Sequence, residues 1–390
     1  MRGEFEGQTF NDDLLIHPAD RELAVRRYPT VLHILDHPEL RECFQQYDPP
    51  ANSAKRKSRR WGRIAIILGA LAITSASAEI LLLEGWHLDW VPVLAFIPAV
   101  AGIASVLVGN FGVLFGRNKQ RWLQNRLMTE RLRQFHFQVF VCRLPEIIAS
   151  LNGDESREKF KAKRAIWFDE FRAQIEHKIP AALAGVLDED GDREVWLHQY
   201  SDHVSDLENQ PELAFLFASY KALRIEHQLN YVRYKLRPDN AIFSDAAPRQ
   251  LQVLDLIAGL LIAGLLLLHI AVAIGIIVLA IGTFAGVWPG ALFRASMHIG
   301  NLDVAILWDM VIIWLAVIAL AGRAFEQGLQ PGREVERYQH YRSGLRAIGE
   351  RFENAPSAAE KVKIMREMER LAFDEFRNFM ITNNNARFVL

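Results

Sequence analysis

The sequence predicts an all-α integral membrane protein: four transmembrane helices in two hairpins, long cytoplasmic helices and an internal duplication. Three observations predict it. Lys and Arg (45) nearly cancel Asp and Glu (46), yet charge is almost absent from 64–116 and 256–322 and dense elsewhere. At 1.5 Å per residue, about 20 apolar residues cross about 30 Å of hydrocarbon, so each apolar region is long enough to cross twice. Short motifs also recur, in the same order, in the two halves of the chain. With a net charge of −1, no global field points to a nucleic-acid partner.

The first span is expected over about 64–83 (IAIILGALAITSASAEILLL) and the second over about 91–115. The third begins near Leu256 and is expected to end near residue 284, although the apolar run reaches Val287. That run is about 48 Å long, so it must tilt, kink or project beyond the bilayer. The fourth covers about 304–322.

Lys and Arg set the orientation. KRKSRRWGR (55–63) precedes the first span and RNKQRWLQNR (117–126) follows the second, whereas the connector EGWHLDW has neither Lys nor Arg. Arg233, Lys235, Arg237 and Arg249 precede the second pair, Arg323 and Arg333 follow it, and the outer connector holds only Arg294. Both hairpins therefore start and end inside, with both termini cytoplasmic. Trp86, Trp90, Trp288 and Trp308 fall near the outer interface, as an aromatic belt does. The first apolar run begins too late for a cleaved signal peptide. Cys43 and Cys142, the only cysteines, read as packing residues of a reducing compartment.

The duplication rests on two motif pairs. PELRECFQQY (38–47) and PELAFLFASY (211–220) align Pro38 with Pro211, Glu39 with Glu212, Leu40 with Leu213, Phe44 with Phe217 and Tyr47 with Tyr220. FDEFR then closes each unit, as Phe168, Asp169, Glu170, Phe171 and Arg172 and again as Phe373, Asp374, Glu375, Phe376 and Arg377. Both copies start and end inside, so the repeat is parallel. The expected layout is an N-terminal cytoplasmic segment (1–37), a first repeat (38–180), an acidic linker (181–210), a second repeat (211–381) and a tail (382–390).

The cytoplasmic segments read as helices. Trp122, Leu123, Leu127, Leu132, Phe135 and Phe140 recur near helical spacing after the second span. Ser357 and Glu360 form an S-x-x-E capping box. Beyond it, Val362, Met365, Met368, Leu371, Phe376 and Phe379 make an apolar stripe. Alternating β patterns are absent.

A two-span hairpin flanked by such helices resembles the SLATT family, two-transmembrane effectors associated with SMODS and SLOG proteins. The stretches that carry the resemblance are YKALRIEHQLNYVRYK (220–235), RWLQNRLMTERLRQF (121–135) and the terminal helix with FDEFR. The related four-span effector class fits the same pattern. The resemblance implies a multi-pass protein of the bacterial inner membrane that serves antiviral defence. Such an effector oligomerises and perforates the membrane when a partner sensor protein or a cyclic-nucleotide signal triggers it. The chain departs from the family in having two units and no appended sensor.

No Walker A loop, G-x-S-x-G elbow, H-E-x-x-H or paired C-x-x-C appears, so neither enzyme chemistry nor a cofactor is expected. DEDGD (188–192) starts like a calcium loop, but Gln199 stands where a bidentate Glu is needed. His33 and His37, at i and i+4, are too few ligands for zinc. RKSRR (56–60) beside a span reads as a topology and lipid-contact signal.

Ionisable residues within spans carry more information. Glu79, His269 and Asp309 fall at similar depth, about 21–24 Å above the cytoplasmic edge. They are either a shared polar layer or residues that snorkel outward or bond a neighbouring helix. Ala72 and Ala76, Gly112 and Gly116, and Ala271 and Gly275 are each four apart and permit close helix packing. Four spans enclose little lumen, so a sizeable pore requires a homo-oligomer. A constitutive channel or transporter, or a non-catalytic scaffold, are the other readings of the same pattern.

Overall fold

A computed structural model describes residues 10–86, 96–109, 117–188, 212–239, 246–285 and 302–388, with positions 241, 244, 298 and 299. After a short helical turn at Asp12–Leu14, α1 (Pro18–Arg27) and α2 (Leu32–Leu35) lead into α3 (Pro38–Trp86). At 49 residues, α3 is about 74 Å long. It carries both the basic run and the first span without a break, although Pro49 and Pro50 stand inside it. α4 (Phe96–Leu107) is a short apolar helix within the expected second span, and α5 (Asn118–Cys142) follows it.

α6 (Leu144–Ala149), α7 (Asp154–Ile175) and α8 (Ile179–Leu187) complete the first half. The expected acidic linker thus begins with a helix, whose Leu183 and Val186 are buried. DEDGD lies outside the described residues after Asp188.

In the second half, α9 (Glu212–Tyr220) runs through a π-helical segment (Lys221–Glu226) into α10 (His227–Lys235). α11 (Ala247–Phe284) covers the expected third span. Two two-residue strands, β1 (His298–Ile299) and β2 (Leu302–Asp303), pair antiparallel ahead of the next helix. α12 (Val304–Leu329) covers the expected fourth span, α13 (Pro331–Asn354) follows it, and α14 (Ala358–Asn385) ends the fold. A single left-handed residue, Gln330 (φ 49°), joins α12 to α13. The Ser357 hydroxyl accepts from the Glu360 N–H at 3.2 Å, capping α14.

Three helices are long and apolar enough to cross a membrane, within α3, α11 and α12 with its continuation. Their faces are apolar yet solvent-exposed in the isolated chain, as Leu260 (64%) and Ile262 (69%) illustrate. A lipid phase accounts for such a surface; water does not. Two polar contacts tie the spans together. Ser105 donates to the Ala65 carbonyl (3.0 Å), joining α4 to α3. The Trp314 indole donates to Ser77 Oγ (2.9 Å), joining α12 to α3. α11 packs on α12 and α13.

The core lies in the helices outside the long apolar stretches. Phe135 on α5 packs against Phe168 (5.4 Å between centroids) and Phe171 (5.0 Å) on α7. Each such ring pair is worth about 0.5–1.5 kcal/mol beyond its buried area. Both copies of FDEFR bury their two Phe rings and leave Asp169 and Asp374 exposed. Leu40 and Phe44 are buried, as are Leu213 and Phe217. The two halves of the chain differ in how they lead into their apolar helices. α3 runs straight into its apolar stretch, whereas α10 stops at Lys235 and α11 begins only at Ala247.

Candidate functional site

At the basic ends of the long apolar helices, five helices and the N-terminal arm surround a cavity of about 830 Å³. Helical spacing puts each wall together. On α3, Asp48, Asn52, Lys55, Arg59 and Arg63 recur every three or four residues, with Arg56 and Arg60 beside them. On α5, Trp122, Arg126, Glu130 and Arg133 do the same. α10 contributes His227, Tyr231 and Lys235. Glu334, Arg337 and Tyr338 come from α13, and Glu375, Phe376 and Phe379 from α14. The π segment ahead of α10 changes the helical phase. Arg224 and His227, only three residues apart, are both buried.

Ion pairs brace the walls. Arg126 contacts Glu130 (2.6 Å) and Asp48 (4.0 Å), and Arg133 contacts Glu130 (2.7 Å) and Asp13 (2.7 Å). Arg59 reaches Glu334 at 3.5 Å, and Arg337 pairs with Glu375. Burial pushes the Glu130 carboxyl up, but Arg126 and Arg133 outweigh it and hold it down at about 2. At Glu375 burial prevails over Arg337 and raises the carboxyl. Lys55 is half-buried by surface, but the walls enclose its ammonium over the Trp122 ring (5.6 Å). Burial, and then the cations Arg59 and Lys235, push its pKa down to about 7.

The N-terminal arm closes one side. Asn11 accepts from Arg133 (3.1 Å), and the Phe10 ring meets Tyr231 (5.4 Å) and Tyr234 (4.8 Å). His227 contacts Asp12 at 2.9 Å. Burial disfavours charge on this imidazole, but the carboxylates of Asp13 and Asp12 prevail and raise its pKa.

The three intramembrane candidates stand on separate helices, Glu79 on α3, His269 on α11 and Asp309 on α12. His269 bonds the Leu265 carbonyl of its own helix (2.7 Å), Asp309 is exposed and Glu79 half-buried. Among the described residues no ion pair or hydrogen bond joins them. Of the small-residue pairs, Ala72 lies against Gly102, a Cβ placed there being 3.8 Å away, and Ala76 is exposed. A Cβ placed on Gly275 would meet no other segment within 4 Å, Ala271 is exposed, and Gly112 and Gly116 lie outside the described residues. His33 and His37 do not form a pair. His33 bonds Ser150 (2.8 Å), and His37 sits against Phe168 (4.9 Å).

The second FDEFR does reach the site, through Glu375 and Phe376, while Arg377 donates to the Val186 and Asp188 carbonyls of α8. Sequence reasoning assigned RKSRR to topology and missed the cavity. The signal was present as the spacing of Lys55, Arg59 and Arg63, but the residues facing them come from four distant segments. The chain matches no family model, no curated protein and no solved structure.

Proposed function

We propose that the protein is a four-span effector of the bacterial inner membrane, triggered from the cytoplasm, that depolarises the membrane in antiviral defence. One observation carries the reading. The helices that wall the cytoplasmic cavity are covalently continuous with spans: α3 holds Lys55 and Arg59 and also the first span. α13 holds Arg337 and is joined to α12 by Gln330 alone. A change of packing around the cavity therefore acts on the spans directly. Two arrangements separated by a few kcal/mol suffice for a switch. A partner sensor or a nucleotide signal is the trigger proposed. Hairpins from several copies form the conducting path, because one chain encloses too little lumen.

The remaining parts of the reading are the parallel duplication and cytoplasmic termini. The matched burial of the two Phe pairs supports the former, and the Lys and Arg bias the latter. The test is induced expression with its native neighbouring genes under phage challenge, read with a membrane-potential dye. Depolarisation on challenge supports the effector. Steady conductance without challenge favours a constitutive channel, and no conductance at all favours a scaffold.

A further inference from the structure

The charges of the cavity do not cancel, and the excess identifies its occupant. Each carboxylate on the walls is already committed: Asp48 and Glu130 to Arg126, Glu334 to Arg59, and Glu375 to Arg337. Lys55, Arg56, Arg60 and Lys235 line the same space, and none has a carboxylate within ion-pair distance among the described residues. Arg337 is only 9% exposed, yet its Nε and Nη2 find no hydrogen-bond acceptor there. Buried donors without acceptors are costly, and so are clustered cations without counter-charge.

A cation cannot satisfy this site, and a neutral ligand leaves the excess in place. A phosphate group accepts hydrogen bonds from several directions and carries up to two charges, which suits donors converging from separate helices. Four uncompensated cations call for more than one phosphate. Trp122, Tyr231 and Tyr338 line the same cavity and add apolar atoms to its walls.

We propose that the cavity binds a ligand bearing at least two phosphate groups, gripped by Lys55, Lys235 and Arg337 within and by Arg56 and Arg60 at the rim. It deepens the trigger of the effector reading and rests on that reading for its consequence, though binding is measured without it. A soluble phosphate ester and the headgroup of an anionic lipid share this chemistry. The second would enter beside Arg63 and Ile64, where the cavity meets the span.

Lys55 gives the site a pH signature. The groups facing it are Arg59 on its own helix, Trp122 and Arg126 on α5, Lys235 on α10 and Glu334 on α13. With its pKa near 7, it is a full cation below that pH and neutral above it. Phosphate binding therefore weakens as pH rises through about 7, and a neutral residue at position 55 removes that part of the dependence.

The experiment uses the full chain in nanodiscs of neutral lipid, titrated with inorganic triphosphate, and in nanodiscs containing phosphatidylglycerol, analysed for retained lipid. Lys55→Gln and Lys235→Gln are compared with Lys57→Gln, an exposed neighbour off the cavity wall. Saturable triphosphate binding that weakens about tenfold in the two cavity variants, the order expected for one charge-assisted hydrogen bond, supports a soluble ligand. Selective retention of phosphatidylglycerol that is lost in the same variants supports the lipid source. Neither result, or equal effects of Lys57→Gln, overturns the site. Binding without depolarisation of challenged cells leaves the site standing and removes only the effector reading.

Discussion

The ring of Phe388 rests on the backbone of Gly62, in the space that a Cβ at that position would occupy. Its other side lies equally close to Gly328, so one ring from the C-terminal tail fills the gap between α3 and α12 beside their apolar stretches. Both glycines are buried, and the missing side chains are what allow the approach. The tail is held further by Lys119, which donates to the carbonyls of Asn384 (2.6 Å) and Ala386 (2.7 Å).

Gly328→Ala should therefore expel the ring. Overpacking of this kind costs about 1–3 kcal/mol. The expected outcome is faster digestion of the last residues by carboxypeptidase, with the helices intact. In Phe388→Ala the glycine change should add little, because the two changes remove one contact. Equal digestion of parent and Gly328→Ala would show that the tail is held elsewhere.

The buried triad of Arg224, Glu369 and Tyr220 sets the second expectation. Arg224 grips both oxygens of Glu369 (2.9 and 2.7 Å), and the Tyr220 hydroxyl donates to the same carboxylate (2.8 Å). Glu369 is 1% exposed and Arg224 3%. Removing one partner strands the other without solvent, which typically costs about 3–5 kcal/mol. Glu369→Ala should lower the melting temperature of the helical core sharply, whereas Glu353→Ala, at an exposed pair with Lys221, should leave it unchanged. Similar melting of the two variants would refute a structural role for the triad.

The N-terminal arm should respond to pH through His227. Its folded pKa is raised above the ordinary 6.5, because the carboxylates of Asp13 and Asp12 outweigh the effect of burial. The stability it contributes is fully present below pH 6.5 and is lost as pH rises through the raised value. Arg133 and the ring of Phe10 also face it and keep their charge state over that range. Protease cleavage within 10–16 should accelerate as the pH climbs through this window, and His227→Gln should flatten the response. A parent arm cleaved at one rate on both sides of the window refutes the linkage.

How much of this was legible depended on whether the signal was local. The three membrane-length apolar helices follow from apolar runs, and the cap of α14 follows from Ser357 and Glu360, three residues apart. The stripe on α14 was also readable, since Val362, Met365 and Met368 are all buried. α5 was only half readable. Its Trp122, Leu127 and Phe135 are buried as their spacing predicts, but so are Arg131, Arg133, Gln134, His136 and Gln138. Their burial depends on distant groups such as Asp13, 120 residues away, which a window along the chain does not contain. Arg164 illustrates the same limit, donating to the carbonyls of His33, Ile34 and Asp36 far upstream. The intramembrane candidates were chosen by depth alone, and depth does not fix which face of a helix a residue occupies.

That distinction decides which substitution reports on switching. Met368 and Phe376 share one apolar stripe, but their surroundings differ. Met368 is 0% exposed within the main aromatic core, so an Asp there would be an unpaired buried charge and should unfold the helical core. Phe376 stands at the cavity wall beside Glu375, with α5 and α8 packed behind it. Phe376→Ala removes volume where the wall meets the ligand space and leaves the main core untouched. The expected result is a folded, membrane-inserted protein whose depolarisation of challenged cells is either constitutive or lost, while Met368→Asp yields little protein at all. Growth arrest and dye uptake measure the first, and membrane abundance the second. Should Phe376→Ala insert normally and respond to challenge as the parent does, packing at this wall does not govern the spans.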